Sequence, residues 1–217
     1  MDKVQFDGMD SYDKWGYYLA HKVIGEAEPK YNLVQVPGGV GYIDLTGALG
    51  VMGYNERELE LTMKDIADHN EFIRHYSAMQ AYIHGKRCKI TLSDDPGYYW
   101  DGRCSVGAME QDRTACYVTV VAICQPYKLK QSKTVVQYNS LTNKYKQIVL
   151  SNDKMPTIPT ITVQQETTIE YNGATYSINT GTHRLLGIVL GAGGGKIKAK
   201  APGGSGSIKI EYQEGAL

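Results

Sequence analysis

The 217-residue chain lacks an excess of charge of either sign and lacks a long apolar run. Lysine and arginine number 23, aspartate and glutamate also number 23, and the formal net charge is zero. Nucleic acids and anionic membrane surfaces attract proteins that carry a local excess of cations, so we expect neither as a partner. No apolar run approaches the roughly 20 residues that cross a bilayer as a helix. Composition therefore argues against nucleic-acid binding and against a membrane-spanning protein.

A secretion signal is also missing. The start of the chain, residues 1–7, carries acidic residues where a signal peptide has a basic region, and no apolar stretch follows. We expect synthesis in a cytoplasm, where thiols stay reduced. The cysteines include no CxxC pair, which makes a zinc site a weak hypothesis, and we predict buried or half-buried free thiols on strands. The cysteines are Cys88, Cys104, Cys116 and Cys124.

Phenylalanine and tryptophan are scarce, at two residues each, whereas tyrosine occurs 17 times. Tyrosine suits β-structure and half-buried positions, because its ring packs while its hydroxyl stays in contact with water. It is also enriched where subunits meet. The composition is therefore compatible with a β-rich protein that contacts other subunits.

Signatures of catalysis and of cofactor binding are absent. In Gly191–Lys196 only three residues separate the first glycine from the Gly-Lys pair, and Ile197 follows, so the run fails the phosphate-loop pattern and is interpreted as a flexible turn. Asp94 and Asp95 precede Pro96-Gly97, which is ordinary turn chemistry. The five histidines show no HExxH pattern and no close carboxylate partner in sequence. We predict no enzyme, no metal and no cofactor, although a site assembled from distant residues stays open.

Alternating and helical patterns predict a mainly β fold with one α-helix. Leu59–Lys64 alternates apolar and polar residues, which is typical of a strand with one buried face. Ala115–Cys124 is nearly continuously apolar and predicts a central strand, reached from a strand at Tyr98–Val106 through a polar connection at Gly107–Thr114. The helix spans about residues 70–84, with Asp68 or Asn70 as its cap, Gly85 after its end, and apolar residues spaced by three and four at Phe72, Ile73, Tyr76, Met79 and Ile83.

The composition changes near Pro126-Tyr127-Lys128, which predicts two domains. Residues 1–130 form the N-terminal β domain with the helix, and residues 131–217 form a small β-sandwich, with linker strands at about 131–158. Asn172-Gly173 lies between two alternating runs and predicts a hairpin turn. Short strands separated by glycine turns fill the remainder, as is typical of a sandwich.

The order of these motifs resembles the distal tail proteins of siphophages and related prophages. The resemblance covers essentially the whole chain. Each motif is loose by itself, whereas their order and the domain division are jointly specific. The motifs are Tyr12–Gly16, Val36–Thr46, Tyr54–Arg57, Ile83–Lys86, Asp94–Tyr99, Gly102-Arg103 and Cys124–Lys128.

The resemblance implies a virion structural protein located at the tail tip and synthesised in the cytoplasm of a bacterial host. Its N-terminal domain, a β-sandwich/ring domain, would form a homohexameric hub, and its C-terminal domain would be a galectin-like β-sandwich. The implied partners are tail-tube protein, a tail-associated fibre or lysin protein, and receptor-binding proteins. Two turns are candidate contacts in such a ring, at Pro37, Gly38 and Gly41 and at Asp94, Asp95, Pro96 and Gly97.

Two other functions stay open from the sequence. The C-terminal sandwich could be a carbohydrate-binding module for host cell-wall saccharide, although only Tyr171, Tyr176 and Tyr212 supply aromatic rings beyond Met155. An enzyme acting on the cell wall is the second alternative, and the missing catalytic signature speaks against it.

Overall fold

The structure, a computed structural model, describes residues 2–48, 52–67, 69–112 and 114–217. The chain divides into two compact units, Met1–Gln131 and Ser132–Leu217. Both units consist mainly of antiparallel strands, which confirms the mainly β fold class. No helix among the described residues is long and apolar enough to span a bilayer.

One large sheet dominates the N-terminal unit. Its strands follow one another in the order β2-β1-β7-β8-β9-β6-β3, β10 pairs with the start of β8, and β4 and β5 form a separate hairpin. The elements are β1 (Val4–Phe6), β2 (Met9–Asp10), α1 (Ser11–Trp15), β3 (Tyr17–Ile24), β4 (Leu33–Gln35), β5 (Tyr42–Asp44), β6 (Arg57–Asp65), a 3-10 turn (His69–Glu71), α2 (Phe72–Ile83), β7 (Arg87–Leu92), β8 (Tyr98–Gln111), β9 (Cys116–Cys124) and β10 (Lys128–Lys130).

The large sheet rolls around one core, and its two ends approach each other. Asp2, just before β1, forms a bridge with Leu19 in β3, where the backbone N–H of Leu19 donates to the carbonyl of Asp2 at 2.9 Å. Side chains from β1, β3, β6, β7, β8, β9 and both helices share one buried cluster. The N-terminal half is therefore built from one curved sheet that encloses its own core together with the helices.

Two strand predictions are confirmed, and the predicted connection between β8 and β9 is wrong. Leu59, Leu61 and Met63 are buried on β6, and β9 lies centrally between β8 and β6, as predicted. The stretch Gly107–Thr114, however, is not simply a polar connection. Strand β8 continues to Gln111 after a register shift near Val106, because residues 109–111 still pair with β9. Met109 packs against the core, whereas Glu110 and Gln111 are exposed.

The predicted long helix is confirmed as α2, which begins at Phe72. A 3-10 turn precedes it, Glu71 makes no side-chain cap, and Asp68 lies outside the described residues. Phe72, Met79 and Ile83 are buried, but Ile73 is 64% exposed and does not belong to the buried face. Gly85 follows the helix end with φ of 72°, the left-handed conformation expected of a glycine there.

A second helix, α1, was not predicted, because the sequence patterns indicated only one helix. The carboxylate of Asp10 accepts hydrogen bonds from the backbone N–H groups of Tyr12 and Asp13, and Gly16 ends the helix with φ of 78°. With five residues the helix is too short to show a helical repeat of apolar positions. Its capping residues were the available signal.

The C-terminal unit is a β-sandwich of two four-stranded sheets, ordered β11-β18-β13-β16 and β12-β17-β14-β15, around one apolar core. Residues 131–158 contribute β11 and β12 to these sheets rather than forming linker strands. The eight strands are β11 (Thr134–Leu141), β12 (Lys146–Leu150), β13 (Thr160–Val163), β14 (Thr167–Tyr171), β15 (Ala174–Ile178), β16 (Gly181–Arg184), β17 (Gly195–Lys200) and β18 (Gly206–Tyr212). A two-residue strand, β19 (Gly215–Ala216), follows and belongs to neither of these sheets.

Glycine turns connect the sandwich strands. Asn172 and Gly173 have φ of 47° and 82°, which confirms the predicted hairpin turn between β14 and β15. The run Gly191–Lys196, predicted to be a flexible turn, is instead packed against the chain. The N–H of Gly193 donates to the carbonyl of Asn152 at 3.0 Å, and β17 begins within the run.

All four cysteines are free and buried, as the sequence indicates. Burial raises the pKa of the Cys124 thiol to about 12 and raises that of Cys104 as well. Because the thiolate is the reactive form, we expect none of the four thiols to react with an aromatic disulfide reagent at pH 8 in the folded chain. All four should react after unfolding in urea. Fast reaction of even one thiol in the native chain would contradict this prediction.

Candidate functional site

An arm leaves the large sheet after β3 and returns to it at β6. The arm comprises residues 26–56, of which 26–48 and 52–56 are described, and it contains the β4–β5 hairpin. Every residue from Lys30 to Leu45 is exposed. No comparably long exposed stretch occurs elsewhere among the described residues. The arm is therefore the part of the chain that packs least against its own fold.

The root of the arm is fixed to the sheet. The N–H of Gly25 donates to the carbonyl of Glu58 at 2.7 Å, and Nε of Arg57 donates to the carbonyl of Gly25 at 2.8 Å. The guanidinium of Arg57 also lies 4.8 Å from the ring centroid of Trp100. These contacts join the segment that leaves the sheet to the segment that returns to it. Farther from the sheet, the same two segments are linked by contacts of Asn55 with Glu28, Lys30 with Gly53, and Pro29 with Tyr54.

One face of the hairpin is apolar. Val34 lies opposite Ile43, and because side chains alternate along a strand, Val36 and Leu45 extend the same face. All four side chains are exposed. A two-stranded hairpin is at best marginally stable in water without another surface against its apolar side. The apolar face is therefore suited to contact with another molecule.

The first predicted turn forms the tip of the arm. Gly38 and Gly41 have φ of 77° and 88°, conformations that favour glycine, and the N–H of Gly39 donates to the carbonyl of Val36 at 3.0 Å. Pro37 lies beside them and is exposed. The sequence thus located the turn, but not its place at the end of a protruding hairpin.

The second predicted turn connects β7 to β8 and lies on a different element from the arm tip. The N–H of Asp95 donates to the carbonyl of Leu92 at 3.1 Å. The carboxylate of Asp94 pairs with Lys22, whose hydrogen bond holds the pKa of that carboxyl below its usual range. Asp95 pairs with Lys128 at 2.8 Å. Both carboxylates are therefore engaged within the chain, while Pro96 and Gly97 are exposed.

The structure also brings together an aspartate and a histidine that the sequence analysis did not pair. Nδ1 of His75 lies 2.6 Å from Oδ2 of Asp65, and the N–H of Ala67 donates to the other carboxylate oxygen at 2.8 Å. The Asp65 side chain is 1% exposed. A signal for it existed, because Asp65 continues the inward-facing odd positions of Leu59–Met63 in β6.

This pair lines a cavity of about 580 Å³, which we call the tyrosine cavity. The rings of Tyr12 and Tyr18 stack there with centroids 4.3 Å apart, and the hydrogen bond between their hydroxyls raises the pKa of Tyr18 to about 12. No serine, threonine or cysteine is found among the described lining residues, so the hydroxyls near the histidine are those of Tyr12 and Tyr18. The lining residues are Tyr12, Asp13, Lys14, Gly16, Tyr18, Asp65, Ile66, Ala67 and His75.

Two of the three tyrosines beyond Met155 serve the packing of the sandwich. Tyr171 and Tyr212 are buried, and their hydroxyls donate to the backbone carbonyls of Val189 and Ser151. Buried rings offer no flat platform to a sugar. Tyr176 is half-buried, and its hydroxyl lies so close to Gly187 that a methyl group on that glycine would collide with it.

A solved structure shares this architecture along the full length of both chains. It is described as "Crystal Structure of SPP1 Dit (gp 19.1) Protein, a Paradigm of Hub Adsorption Apparatus in Gram-positive Infecting Phages", and it covers 98% of this chain and 99% of its own, with a TM-score of 0.70. The chain has the fold of SPP1 Dit. Sequence identity with SPP1 Dit is 18%. No family model and no curated protein matches the sequence.

The likeness to SPP1 Dit covers residues of both units, because nearly all of each chain is aligned. At 18% identity it establishes the fold, and residue roles rest on the geometry described above.

Proposed function

We propose that this chain is a phage distal tail protein, a structural subunit that assembles with copies of itself into a ring at the tail tip. The observation that carries the proposal is the exposed arm with its apolar face, on a chain that has the fold of a phage hub protein along its whole length. The role is structural and requires no catalysis.

Covering the apolar face of the arm supplies the energy for self-association. Burying a valine, leucine or isoleucine side chain contributes about 1.5–3 kcal/mol, so the four residues of this face supply several kcal/mol even when partly covered. We propose that the copy that receives the arm does so with a different surface, which makes the contact head-to-tail. Such head-to-tail contacts close into rings when the rotation between copies allows it. We propose six copies.

Within this proposal residues 1–130 form the ring and residues 131–217 form a galectin-like second domain. The ring joins the tail-tube protein on one side to a tail-associated fibre or lysin protein on the other, and holds receptor-binding proteins. The protein is made in the bacterial cytoplasm and resides in the virion. Binding of a saccharide by the sandwich is not favoured, because Tyr171 and Tyr212 are committed to its core.

The predicted contact residues take different parts in the ring. Pro37, Gly38 and Gly41 shape the tip of the arm and are proposed to lie between copies. In the second turn the exposed pair Pro96-Gly97 is the proposed contact, whereas the two aspartates anchor the turn to Lys22 and Lys128.

Sedimentation and negative-stain imaging of the full chain test the proposal. We expect six-fold rings, and we expect V34K/I43K to be monomeric because it places two charges on the apolar face of the arm. V149K/L186K is the matched control, since it charges two exposed apolar residues of the sandwich, and it should still form rings. A chain that stays monomeric at tens of micromolar, or a V34K/I43K variant that still forms rings, would contradict the proposal.

A further inference from the structure

We infer that the arm tip of one copy docks into the tyrosine cavity of the next copy. The inference rests on the proposed function and names the receiving surface that the arm requires. Three observations carry it: the shape of the two surfaces, their apolar side chains, and their polar groups.

A protruding element needs a recess to receive it. At the tip, Val40 is 109% exposed, more than any other large apolar residue described. The tyrosine cavity, at about 580 Å³, is roomier than the second cavity of this unit, at about 390 Å³.

The rim of the tyrosine cavity offers apolar contact. Ile66 is 49% exposed, and the ring of Tyr12 is also exposed while it stacks on Tyr18. Tyrosine is enriched among residues that dominate binding energy, because it provides a large contact area and loses little side-chain freedom. The stacked pair is already ordered, so docking costs little additional entropy. An apolar tip such as Val40 fits this rim.

The polar groups of the arm tip and of the tyrosine cavity also complement each other. The stretch Leu33–Ile43, which includes the tip, carries no charged side chain, so the tip itself brings no charge into the cavity when it docks. Its exposed peptide carbonyls are acceptors. Lys14 is a donor at the cavity, and so is the tyrosine hydroxyl that accepts the hydrogen bond between Tyr12 and Tyr18.

Charged substitutions on the two surfaces, mixed together, test the contact. V40K blocks the arm and keeps the receiving cavity, whereas I66K blocks the cavity and keeps the arm. We expect each variant alone to be monomeric, with self-association weakened more than tenfold. An equimolar mixture should form one-to-one pairs and no rings, since only one arm and one cavity remain functional. I73K is the matched control for I66K, because Ile73 is an exposed isoleucine outside the cavity lining, and it should assemble normally.

The outcomes separate the inference from the proposed function. If the unsubstituted chain does not self-associate, the proposed function fails. If it does, V40K is monomeric and I66K still forms rings, the cavity is not the receiver and the inference alone fails. If both variants are monomeric but their mixture forms no pair, the two surfaces do not meet and the inference again fails. Circular dichroism melting curves equal to that of the unsubstituted chain show that the variants are folded.

Discussion

Replacing Gly194 with alanine is expected to lower the free energy of unfolding of the C-terminal sandwich by about 3–5 kcal/mol, near the upper end for a single substitution. Gly194 has φ of 87°, which alanine tolerates poorly. A Cβ atom there would lie 1.9 Å from the carbonyl oxygen of Leu150 and 2.9 Å from the backbone nitrogen of Asn152. Neither is the end of a flexible side chain, so the start of β17 would have to move away from β12, the edge strand that ends at Leu150.

The neighbouring glycine provides the control. Gly193 has φ of 82°, but a Cβ atom there meets nothing within 4 Å, so G193A carries the backbone strain without the collision. We expect it to cost about 1–2 kcal/mol, the penalty of the left-handed conformation for alanine. Equal destabilisation by the two substitutions would show that backbone strain, and not contact with Leu150, requires the glycine.

Urea unfolding measured by two signals assigns the effect to the sandwich. Trp15 and Trp100 are the only tryptophans, and both belong to the N-terminal unit. Tryptophan fluorescence therefore follows that unit, whereas far-ultraviolet circular dichroism follows both. G194A should shift the part of the dichroism transition that fluorescence does not report. A fluorescence transition displaced by the same amount would contradict the assignment.

Most of the fold could be predicted from local sequence patterns. Leu59–Lys64 predicted a half-buried strand and residues 70–84 a helix, because a period of two and a period of about 3.6 are properties of single elements. The packed glycine run could not be predicted in the same way. Its neighbour Leu150 lies more than forty positions earlier, and nothing local to Gly194 indicates that a carbonyl approaches it.

The candidate site was predictable only in part, for a related reason. The turn at Pro37–Gly41 follows from proline and glycine chemistry. The apolar strands beside it, however, look like any strand that packs against a core. Their exposure depends on where the chain leaves the sheet at Gly25 and returns at Arg57, and therefore on tertiary structure. An apolar strand pattern shows that a face is suited to burial, but it does not show whether the residues that bury it belong to the same chain.

Substituting His75 with alanine is expected to destabilise the N-terminal unit by about 3 kcal/mol, as removal of one partner from a buried pair does. The carboxylate of Asp65 is almost fully buried and would lose the donor 2.6 Å away, keeping the N–H of Ala67. R74A on the same helix is the control. It removes an exposed ion pair with Glu71, which contributes at most about 1 kcal/mol.

A double-mutant cycle measures how much of that loss belongs to the pair. Once D65N has removed the buried charge, H75A has no carboxylate to leave unpaired, and we expect it to cost about 1 kcal/mol, with a coupling energy of about 2 kcal/mol. Urea unfolding followed by tryptophan fluorescence is the measurement, since both tryptophans report this unit. If H75A costs the same with and without the carboxylate, His75 stabilises the unit through packing alone. A coupled pair would mean instead that the wall of the tyrosine cavity is fixed by electrostatics from inside the fold, before any second copy arrives.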